Sequence, residues 1–311
     1  MGNIATIRNY LIFAILILVP ISVATVVLLQ RGDRAVEGDI VVQIEHGLAL
    51  DAYLTTIGFN DILRNPGLLQ AVPRLRISHL PKKVSKTWRE NSALRKSVYF
   101  RVSLSAALQA NEIILGQRER LLRLSRHAAE KMSNEDQAWL DAIMRRYRIG
   151  TLRIPIDPKQ LARLARRVDA LPPSLVVVQG AIESAWLQSR FAREGQAIFG
   201  QWTTDKSGLK ALESDARLAT FSNPHEALVA YMLNINSHPA YGGLRQARAK
   251  MRDRGQVLDG YALAGFISDY AATGQEYVAL IRRMIRRDDL SRFDHAKLSA
   301  GPQIYFQMAD P

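Results

Sequence analysis

The sequence contains no cysteine. No disulfide and no thiolate metal site can therefore form within this chain. A chain without cysteine is compatible with a reducing cytosol and with an oxidising compartment, so the absence does not decide where the protein resides. With 311 residues, of which 48% are hydrophobic, the chain is long enough to bury a sizeable core. Its length alone predicts between one and about three domains.

Several common catalytic motifs are also missing. The sequence has no H-E-x-x-H zinc motif, no G-x-S-x-G nucleophile motif, no Walker phosphate loop and no G-x-G-x-x-G dinucleotide motif. Its six histidines are scattered along the chain, and we interpret His238, which precedes Pro239, as a turn residue. We therefore expect neither a metal site nor a cofactor.

Acidic residues are in the minority. The chain has 42 lysines and arginines against 29 aspartates and glutamates, which gives a formal net charge of +13. This balance favours an anionic partner, namely nucleic acid, phospholipid head groups or a cell-wall polymer that carries carboxylates. Because the sequence has neither an aromatic and basic RNA-binding signature nor zinc-finger spacing, we expect no nucleic-acid partner.

Residues 9–30 form a long apolar run without a charged residue, flanked by Arg8 and Arg31. About 20 apolar residues in a helix cross a hydrocarbon core of about 30 Å. The run is longer than the apolar region of a secretory signal, roughly 7–15 residues, and no small-x-small cleavage motif precedes the polar residues. These features favour an uncleaved, single-pass membrane anchor over a cleaved signal.

The rest of the chain divides into four segments. Residues 31–95 are poorly periodic and broken by proline and glycine, so we interpret them as a connector. In residues 96–170 apolar residues recur at three- and four-residue steps, which predicts a helical segment packed on the main domain. We assign that main domain to residues 171–290 and expect an extended tail at 291–311.

A glutamate lies inside an otherwise apolar helical run between residues 175 and 186. We predict that Ser174 caps this helix. Gln179, Glu183 and Trp186 stand at i, i+4 and i+7, so we expect them to share one helix face.

The burial expected for Glu183 has chemical consequences. A buried carboxylate is costly unless it is paired, hydrogen-bonded or protonated. Burial raises the pKa of a glutamate, which is the usual route to a general acid that works near neutral pH. The alternative at this point is a structural glutamate paired with Arg190 or Arg193.

The stretch AIESAW-x2-SRFAREG-x2-IFGQW resembles the signature of the Bax-like bacterial glucosaminidases, relatives of the flagellar-rod peptidoglycan hydrolase domain in glycoside hydrolase family 73. The family motif reads roughly ESGWG-x-SRFA-x-EG-N-N-x-FGQW. Ala185 and Leu187 replace its two glycines, and Gln196 and Ala197 replace its paired asparagines. The resemblance covers about residues 80–290, and Asn111, Arg118, Trp139 and Asp169 are similar to family positions before the motif.

The resemblance implies a mainly α fold, with a lysozyme-like helical glucosaminidase domain and a small β-hairpin lobe. It makes Glu183 the general acid that protonates the leaving oxygen. It also places a second acid in the hairpin lobe, where the chain offers Asp205, Glu213 and Asp215, and of these we choose Glu213. The acetamido group of the substrate is an alternative nucleophile that needs no second acid.

Sugar rings present C–H faces that stack on aromatic side chains, and hydroxyl groups that need polar partners. An aromatic residue taken alone is more often part of the core. Arg190 or Arg245 has the planar geometry that suits a stem-peptide carboxylate. The candidate substrate-binding residues are Gln179, Arg190, Phe199, Trp202, Tyr231, Tyr241 and Tyr270.

Three functions remain open from the sequence. The first is an endo-β-N-acetylglucosaminidase anchored in the inner membrane, with its catalytic domain in the periplasm, that hydrolyses peptidoglycan. The second is a lytic transglycosylase that uses the same glutamate and needs no second acid. The third is a non-catalytic cell-wall-binding protein with a degenerate cleft, which Ala185, Leu187 and the missing asparagines favour.

Overall fold

The computed structural model describes residues 38–126, 132–210, 215 and 217–309. As the sequence predicted, the chain is mainly helical with a small content of strand. The apolar run at 9–30 lies outside the described residues. Within the described ranges, no helix combines the length and the apolar character that crossing a membrane requires.

Helices account for most of the described chain. In chain order the α-helices are α1 (Gly47–Thr56), α2 (Lys86–Glu90), α3 (Ser92–Leu124), α4 (Asn134–Arg146), α5 (Pro158–Arg167), α6 (Pro173–Glu183), α7 (Arg190–Gly195), α8 (Pro224–Ser237), α9 (Gly242–Asp253), α10 (Gly260–Leu263) and α11 (Gln275–Arg287). Short 3-10 helices cover Pro66–Gln70, Pro239–Tyr241, Ala264–Phe266, Ser268–Tyr270 and Leu290–His295.

A parallel sheet joins the two ends of the described chain. Its strands are β1 (Ile40–Ile44), β2 (Val72–Ile77) and β6 (Leu298–Met308), and β6 lies between the other two. Ile304 of β6 is in register with Ile40 of β1 and with Leu75 of β2. The connector and the tail that we inferred from sequence therefore contribute strands to one sheet, and their side chains belong to the same hydrophobic core as the helices.

A second, antiparallel sheet forms the small lobe predicted after residue 202. Its strands are short and stand in the order β3-β5-β4. They are β3 (Trp202–Thr203), β4 (Leu209–Lys210) and β5 (Arg217–Leu218).

Helix α6 lies at the centre of the core. Every residue from 173 to 181 is buried, as expected for a helix that is apolar on all sides. Gly180 permits this packing, because a Cβ there would lie 2.6 Å from the Tyr99 hydroxyl oxygen. That hydroxyl donates to the carbonyl of Val177 at 2.7 Å, which ties α6 to α3.

The start of α6 differs from the prediction. The helix begins at Pro173, where a proline is well tolerated in the first turn, and Ser174 is not its cap. Instead the backbone N–H and the hydroxyl of Ser174 donate to the two carboxyl oxygens of Asp294, each at 2.9 Å. A partner 120 positions away in the chain therefore replaces the local cap.

Two buried polar groups hold the segment that leads into α6. The side-chain amide of Asn111 donates to the Leu171 carbonyl at 2.7 Å and accepts from the Leu171 N–H at 2.9 Å. The carboxylate of Asp169 lies 2.9 Å from Arg252 and 3.8 Å from Arg118 and Arg248. Burial alone raises the pKa of Asp169, but the charge of Arg248, the hydrogen bond from Arg252 and the charge of Arg118 together hold that pKa below its usual value.

Candidate active site

The candidate site begins where helix α6 ends, at Glu183. The next residues reverse the chain through three left-handed conformations, with φ of +49° at Ala185, +59° at Trp186 and +66° at Leu187. The prediction that Trp186 shares a helix face with Glu183 is therefore wrong. Its ring instead packs edge-on against Tyr99, with ring centroids 5.2 Å apart. Leu187 is buried in the core, so its bulk does not project into a cleft.

The left-handed turn yields a prediction about stability. An L-residue in this conformation pays a steric cost that glycine avoids, so Ala185→Gly is expected to raise the free energy of unfolding by about 1 kcal/mol. Urea denaturation of the full chain in detergent measures this change. The matched control is Ala162→Gly in the exposed face of helix α5, where the same replacement is expected to lower stability by roughly 0.5–1 kcal/mol. A loss of stability in both variants would contradict the argument.

Glu183 is partly accessible to solvent, although protein surrounds its carboxyl group. Burial raises the pKa of Glu183 to about 7, and a hydrogen bond from Tyr277 opposes part of that rise. The Tyr277 hydroxyl donates to Oε1 at 2.6 Å. The other oxygen, Oε2, faces Gly200, which has φ +57°, and a Cβ at that glycine would touch Oε2 at 3.8 Å. The absence of a side chain at Gly200 thus leaves room beside Oε2.

A buried hydrogen-bond chain orients the Tyr277 hydroxyl. Gln179 donates from its Nε2 to the Tyr277 oxygen at 3.3 Å, so the tyrosine proton is directed to Glu183. The Tyr231 hydroxyl in turn donates to Oε1 of Gln179, which sets the orientation of the amide. Because all three partners are buried, the direction of the hydrogen bond to Glu183 is determined by packing.

Stacked aromatic rings support this chain. Phe199 stacks on Tyr231 with centroids 4.0 Å apart, and Tyr270 stacks on Tyr277 at 5.6 Å. The Tyr270 hydroxyl donates to the Phe199 carbonyl at 3.0 Å. These rings are at most 5% exposed, as are Gln179 and Tyr241. The structure therefore places them beneath Glu183, where they position it, and their direct contact with substrate stays a prediction.

The two arginines proposed as structural partners of Glu183 bond to other groups. Arg190 donates from Nη2 to the Lys210 carbonyl at 2.6 Å and lies 3.3 Å from the Glu194 carboxylate, so it ties α7 to the small lobe. Arg193 donates to the carbonyl of Lys82. The ion-paired alternative for Glu183 is therefore wrong.

Trp202 is half-buried in β3, on the lobe itself.

The second acid stays a prediction, because Glu213 lies outside the described residues. Asp205 accepts from the Ser207 N–H at 2.9 Å within a turn, and Asp215 pairs with Lys210 at 2.8 Å while 99% of its side chain is exposed. Within the ranges that the structure describes, no group of three or more histidines and carboxylates is arranged to hold a metal ion.

Two residues of the site were missing from the sequence-based set. Tyr277 stands seven positions after Tyr270, and this spacing in the C-terminal region was the available signal. Gln201 belongs to the FGQW motif and is 6% exposed, and neither atom of its amide bonds to a described protein group. A buried amide without a protein partner is expected to bind water or substrate.

Comparisons with known proteins cover the part of the chain that carries this site. The Glucosaminidase family model, described as mannosyl-glycoprotein endo-beta-N-acetylglucosaminidase, matches residues 159–290, which include Glu183 and Tyr277. Protein bax from Escherichia coli strain K12 is 29% identical over 218 residues, which cover 69% of this chain and 73% of that protein. No solved structure matches the chain significantly, so the likeness to lysozyme stays a prediction. The matched domain supports a glycosidase, and together with the similarity to protein bax it supports a Bax-like glucosaminidase-domain protein.

Proposed function

We propose that the chain is an endo-β-N-acetylglucosaminidase that cleaves the glycan strand of peptidoglycan, with Glu183 as its general acid. The observation that carries this proposal is the state of that carboxyl group. It is partly accessible, its pKa is raised to about 7, and a neutral tyrosine rather than a cation holds it. A group with a pKa near the working pH is best suited to give and take a proton.

The two oxygens of Glu183 have different tasks in this reaction. Oε1 accepts the Tyr277 hydrogen bond, so Oε2 is the oxygen that carries the proton toward the glycosidic oxygen. Once the proton leaves, the carboxylate is stabilised by the same tyrosine hydroxyl. Because burial raises its pKa to about 7, this carboxyl can hold a proton near neutral pH.

The group that attacks the sugar carbon has two candidates. Glu213 serves as a carboxylate partner if the lobe brings it to the opposite face of the sugar. The acetamido group of the substrate is the alternative nucleophile.

A lytic transglycosylase is the second candidate function. It needs one glutamate, and the other two acids of the lobe, Asp205 and Asp215, are engaged in a turn and in a surface ion pair. The third function open from the sequence is a non-catalytic cell-wall-binding protein, which the bulk of Leu187 favoured. Because Leu187 is buried in the core, that bulk does not argue for a degenerate cleft.

We also propose, from the sequence alone, that residues 9–30 anchor the chain in the inner membrane with the glucosaminidase domain in the periplasm. The support is the uncharged run of 22 residues between basic flanks.

The function is tested by incubating the full chain, in detergent, with purified peptidoglycan sacculi and identifying the released ends by mass spectrometry. A reducing N-acetylglucosamine end is the expected product. Anhydromuramic ends would replace the proposal by the transglycosylase. Tight binding to sacculi without any released fragment would identify a cell-wall-binding protein and overturn both enzymatic candidates.

A further inference from the structure

Two arginines of helix α11 pack on the ring of Tyr261 in helix α10. The guanidinium carbons of Arg282 and Arg286 each lie 5.1 Å from the centre of this ring. Nε of Arg282 also donates to the Tyr261 carbonyl at 3.0 Å, and Nη2 of Arg286 donates to the Tyr261 hydroxyl. Each arginine is therefore held both by the ring and by a hydrogen bond. We call Arg282 and Arg286, held in this way, the arginine pair.

The two positive charges of the arginine pair are close together. Since both guanidinium carbons lie 5.1 Å from the same ring centre and belong to residues four apart on one helix, they are no more than about 10 Å apart. Like charges at this spacing destabilise a helix. The packing on Tyr261 thus holds two cations in place against their mutual repulsion.

Among the residues that the structure describes, no carboxylate lies within ion-pair distance of the arginine pair. The acids that follow helix α11 pair with other arginines. Asp288 lies 2.6 Å from Arg287, and Asp289 lies 2.9 Å from Arg292. The carboxylate of Asp259 accepts from two backbone N–H groups at the start of helix α10. The arginine pair is thus left without a counter-charge from the described chain.

The arginine pair is open to solvent. Arg286 is exposed, and Arg282 and Tyr261 are half-buried. Within the described part of the chain, neither terminal nitrogen of Arg282 has a hydrogen-bond partner, and Arg286 uses only its Nη2. Nη2 of Arg282 packs against Gly265, where a Cβ would come within 2.6 Å of it. Free donors of both guanidinium groups can therefore meet a ligand from the solvent.

An exposed aromatic residue follows Gly265 in the chain. Phe266 is 45% exposed, and its Cδ1 lies 3.1 Å from the position that a Cβ at Gly243 would take, so the ring rests on the start of helix α9. Because Gly265 touches Arg282, the Cα of Phe266 lies within about 8 Å of the Arg282 Nη2. The surface beside the arginine pair thus carries an aromatic ring that is open to solvent.

The arginine pair lies away from Glu183. Tyr277, whose hydroxyl binds Glu183, stands in the same helix, nine residues before Arg286. Nine residues correspond to about 13 Å along the helix axis. The arginine pair is therefore not part of the catalytic site, and a ligand reaches it from the solvent without entering that site.

We propose that the arginine pair and Phe266 form a second holding point for a glycan strand that carries carboxylates, separate from the site at Glu183. The choice of a glycan rests on the proposed function. Guanidinium groups bind carboxylates through paired, charge-assisted hydrogen bonds, and the C–H face of a sugar stacks on an exposed aromatic ring. Guanidinium groups fixed by a ring and by hydrogen bonds suit a carboxylate at a defined position, whereas attraction to a lipid surface needs only mobile cations.

The test measures binding in the absence of turnover, with the full chain in detergent carrying Glu183→Gln as the parent. The ligands are soluble peptide-bearing glycan fragments from peptidoglycan, either native or with their carboxylates converted to amides. The native fragments are expected to bind about tenfold more tightly than the amidated ones, as for the loss of one charge-assisted contact. Adding Arg286→Gln, which removes the charge at an exposed position, is expected to abolish this preference.

Arg283→Gln is the matched control. Arg283 is an exposed arginine of the same helix, but neighbouring helix positions do not face each other, so it is not expected to share a ligand with Arg282. This variant should keep the tenfold preference. Phe266→Ala is expected to weaken the binding of both fragments equally, by roughly threefold, because the ring contacts the sugar and not the carboxylate. Thermal unfolding of each variant verifies folding.

Equal binding of native and amidated fragments by the parent would overturn the holding point, and so would the absence of measurable binding to either ligand. A preference that is unchanged in Arg286→Gln would also overturn it. The same loss of preference in Arg283→Gln would assign the effect to net charge instead of a site.

A lipid surface is the other possible partner of the arginine pair, and nanodiscs with anionic or neutral phospholipids test for it. If Arg286→Gln leaves fragment binding unchanged but removes a preference for the anionic nanodiscs, the arginine pair serves a membrane and the proposal is overturned. The proposed function fails separately. If the chain with Glu183 intact cuts no sacculi while the preference for native fragments depends on Arg286, the holding point stands and the glucosaminidase activity does not.

Discussion

Glu183→Gln is expected to reduce the rate of sacculus hydrolysis by about 10²- to 10⁴-fold, the range that a positioned general acid contributes. Glutamine keeps the shape of the side chain and can still accept the Tyr277 hydrogen bond at its amide oxygen, but it has no proton to transfer. Initial rates of soluble fragment release from the full chain in detergent measure the loss. Binding of the glycan should persist, since the exchange does not alter the buried aromatic residues beneath the site.

Two controls test whether the loss of hydrolysis rate in Glu183→Gln comes from the missing proton of Glu183. Glu119→Gln, in the exposed face of helix α3, is the same chemical change away from the site and should leave the rate unchanged. The parent rate should also fall as the pH rises through about 7, because the protonated acid is lost there. A variant that retains more than about a tenth of the parent rate would remove Glu183 from the mechanism.

The same exchange has an expected effect on stability. Because the folded-state pKa of Glu183 is raised, ionisation of its carboxyl is less favourable in the folded chain than in the unfolded one. The stability that the protonated form provides is therefore lost as the pH rises through about 7. Glu183→Gln should consequently be at least as stable as the parent at pH 8, which separates lost catalysis from lost folding.

Asp169→Asn is expected to lower the free energy of unfolding by about 3–5 kcal/mol, as for breaking a buried ion pair. The carboxylate is 3% exposed and lies beside Arg248, which is 1% exposed, so the exchange leaves a buried cation without its counter-charge. Arg118 and Arg252 lose the same partner. Urea unfolding of the full chain in detergent at pH 7 measures the difference.

The pH dependence identifies the cause of this loss. The pKa of Asp169 in the folded chain is held below its ordinary value. Its carboxylate therefore stabilises the fold at any pH above the ordinary pKa of an aspartate, and this stabilisation is lost as the pH falls through the folded-state pKa. The difference in free energy of unfolding between the parent and Asp169→Asn should therefore become smaller toward pH 3. Asp215→Asn, at an exposed surface pair, should change stability by less than about 0.5 kcal/mol. If the difference in free energy of unfolding between the parent and Asp169→Asn does not change with pH, the loss comes from packing and not from the charge of Asp169.

The local elements of the chain could largely be read from sequence. Ser133 caps α4 by accepting from the Asp136 N–H, and Asp157 and Asp259 cap α5 and α10 in the same local way. These caps need only residues within one helical turn, so sequence spacing is sufficient to predict them. The motif around Glu183 likewise identified the glucosaminidase domain.

The parallel sheet could not be predicted in this way. Ile304, Tyr305 and Phe306 are buried in succession in its central strand, so β6 shows no alternation of apolar and polar residues there. Its partners β1 and β2 lie more than 200 positions earlier in the chain. Pairing over such a separation leaves no local trace in the sequence, and a connector and a tail were the natural interpretation.

The sequence by itself predicted Glu183 as the general acid, because the adjacent residues around it resemble the glucosaminidase signature. Only the tertiary structure decided how that acid behaves. The pKa of Glu183 depends on burial and on a tyrosine 94 positions away, and the burial comes from helices that pack around α6. Desolvation and hydrogen-bond geometry act through space, so they exist only once the chain has folded.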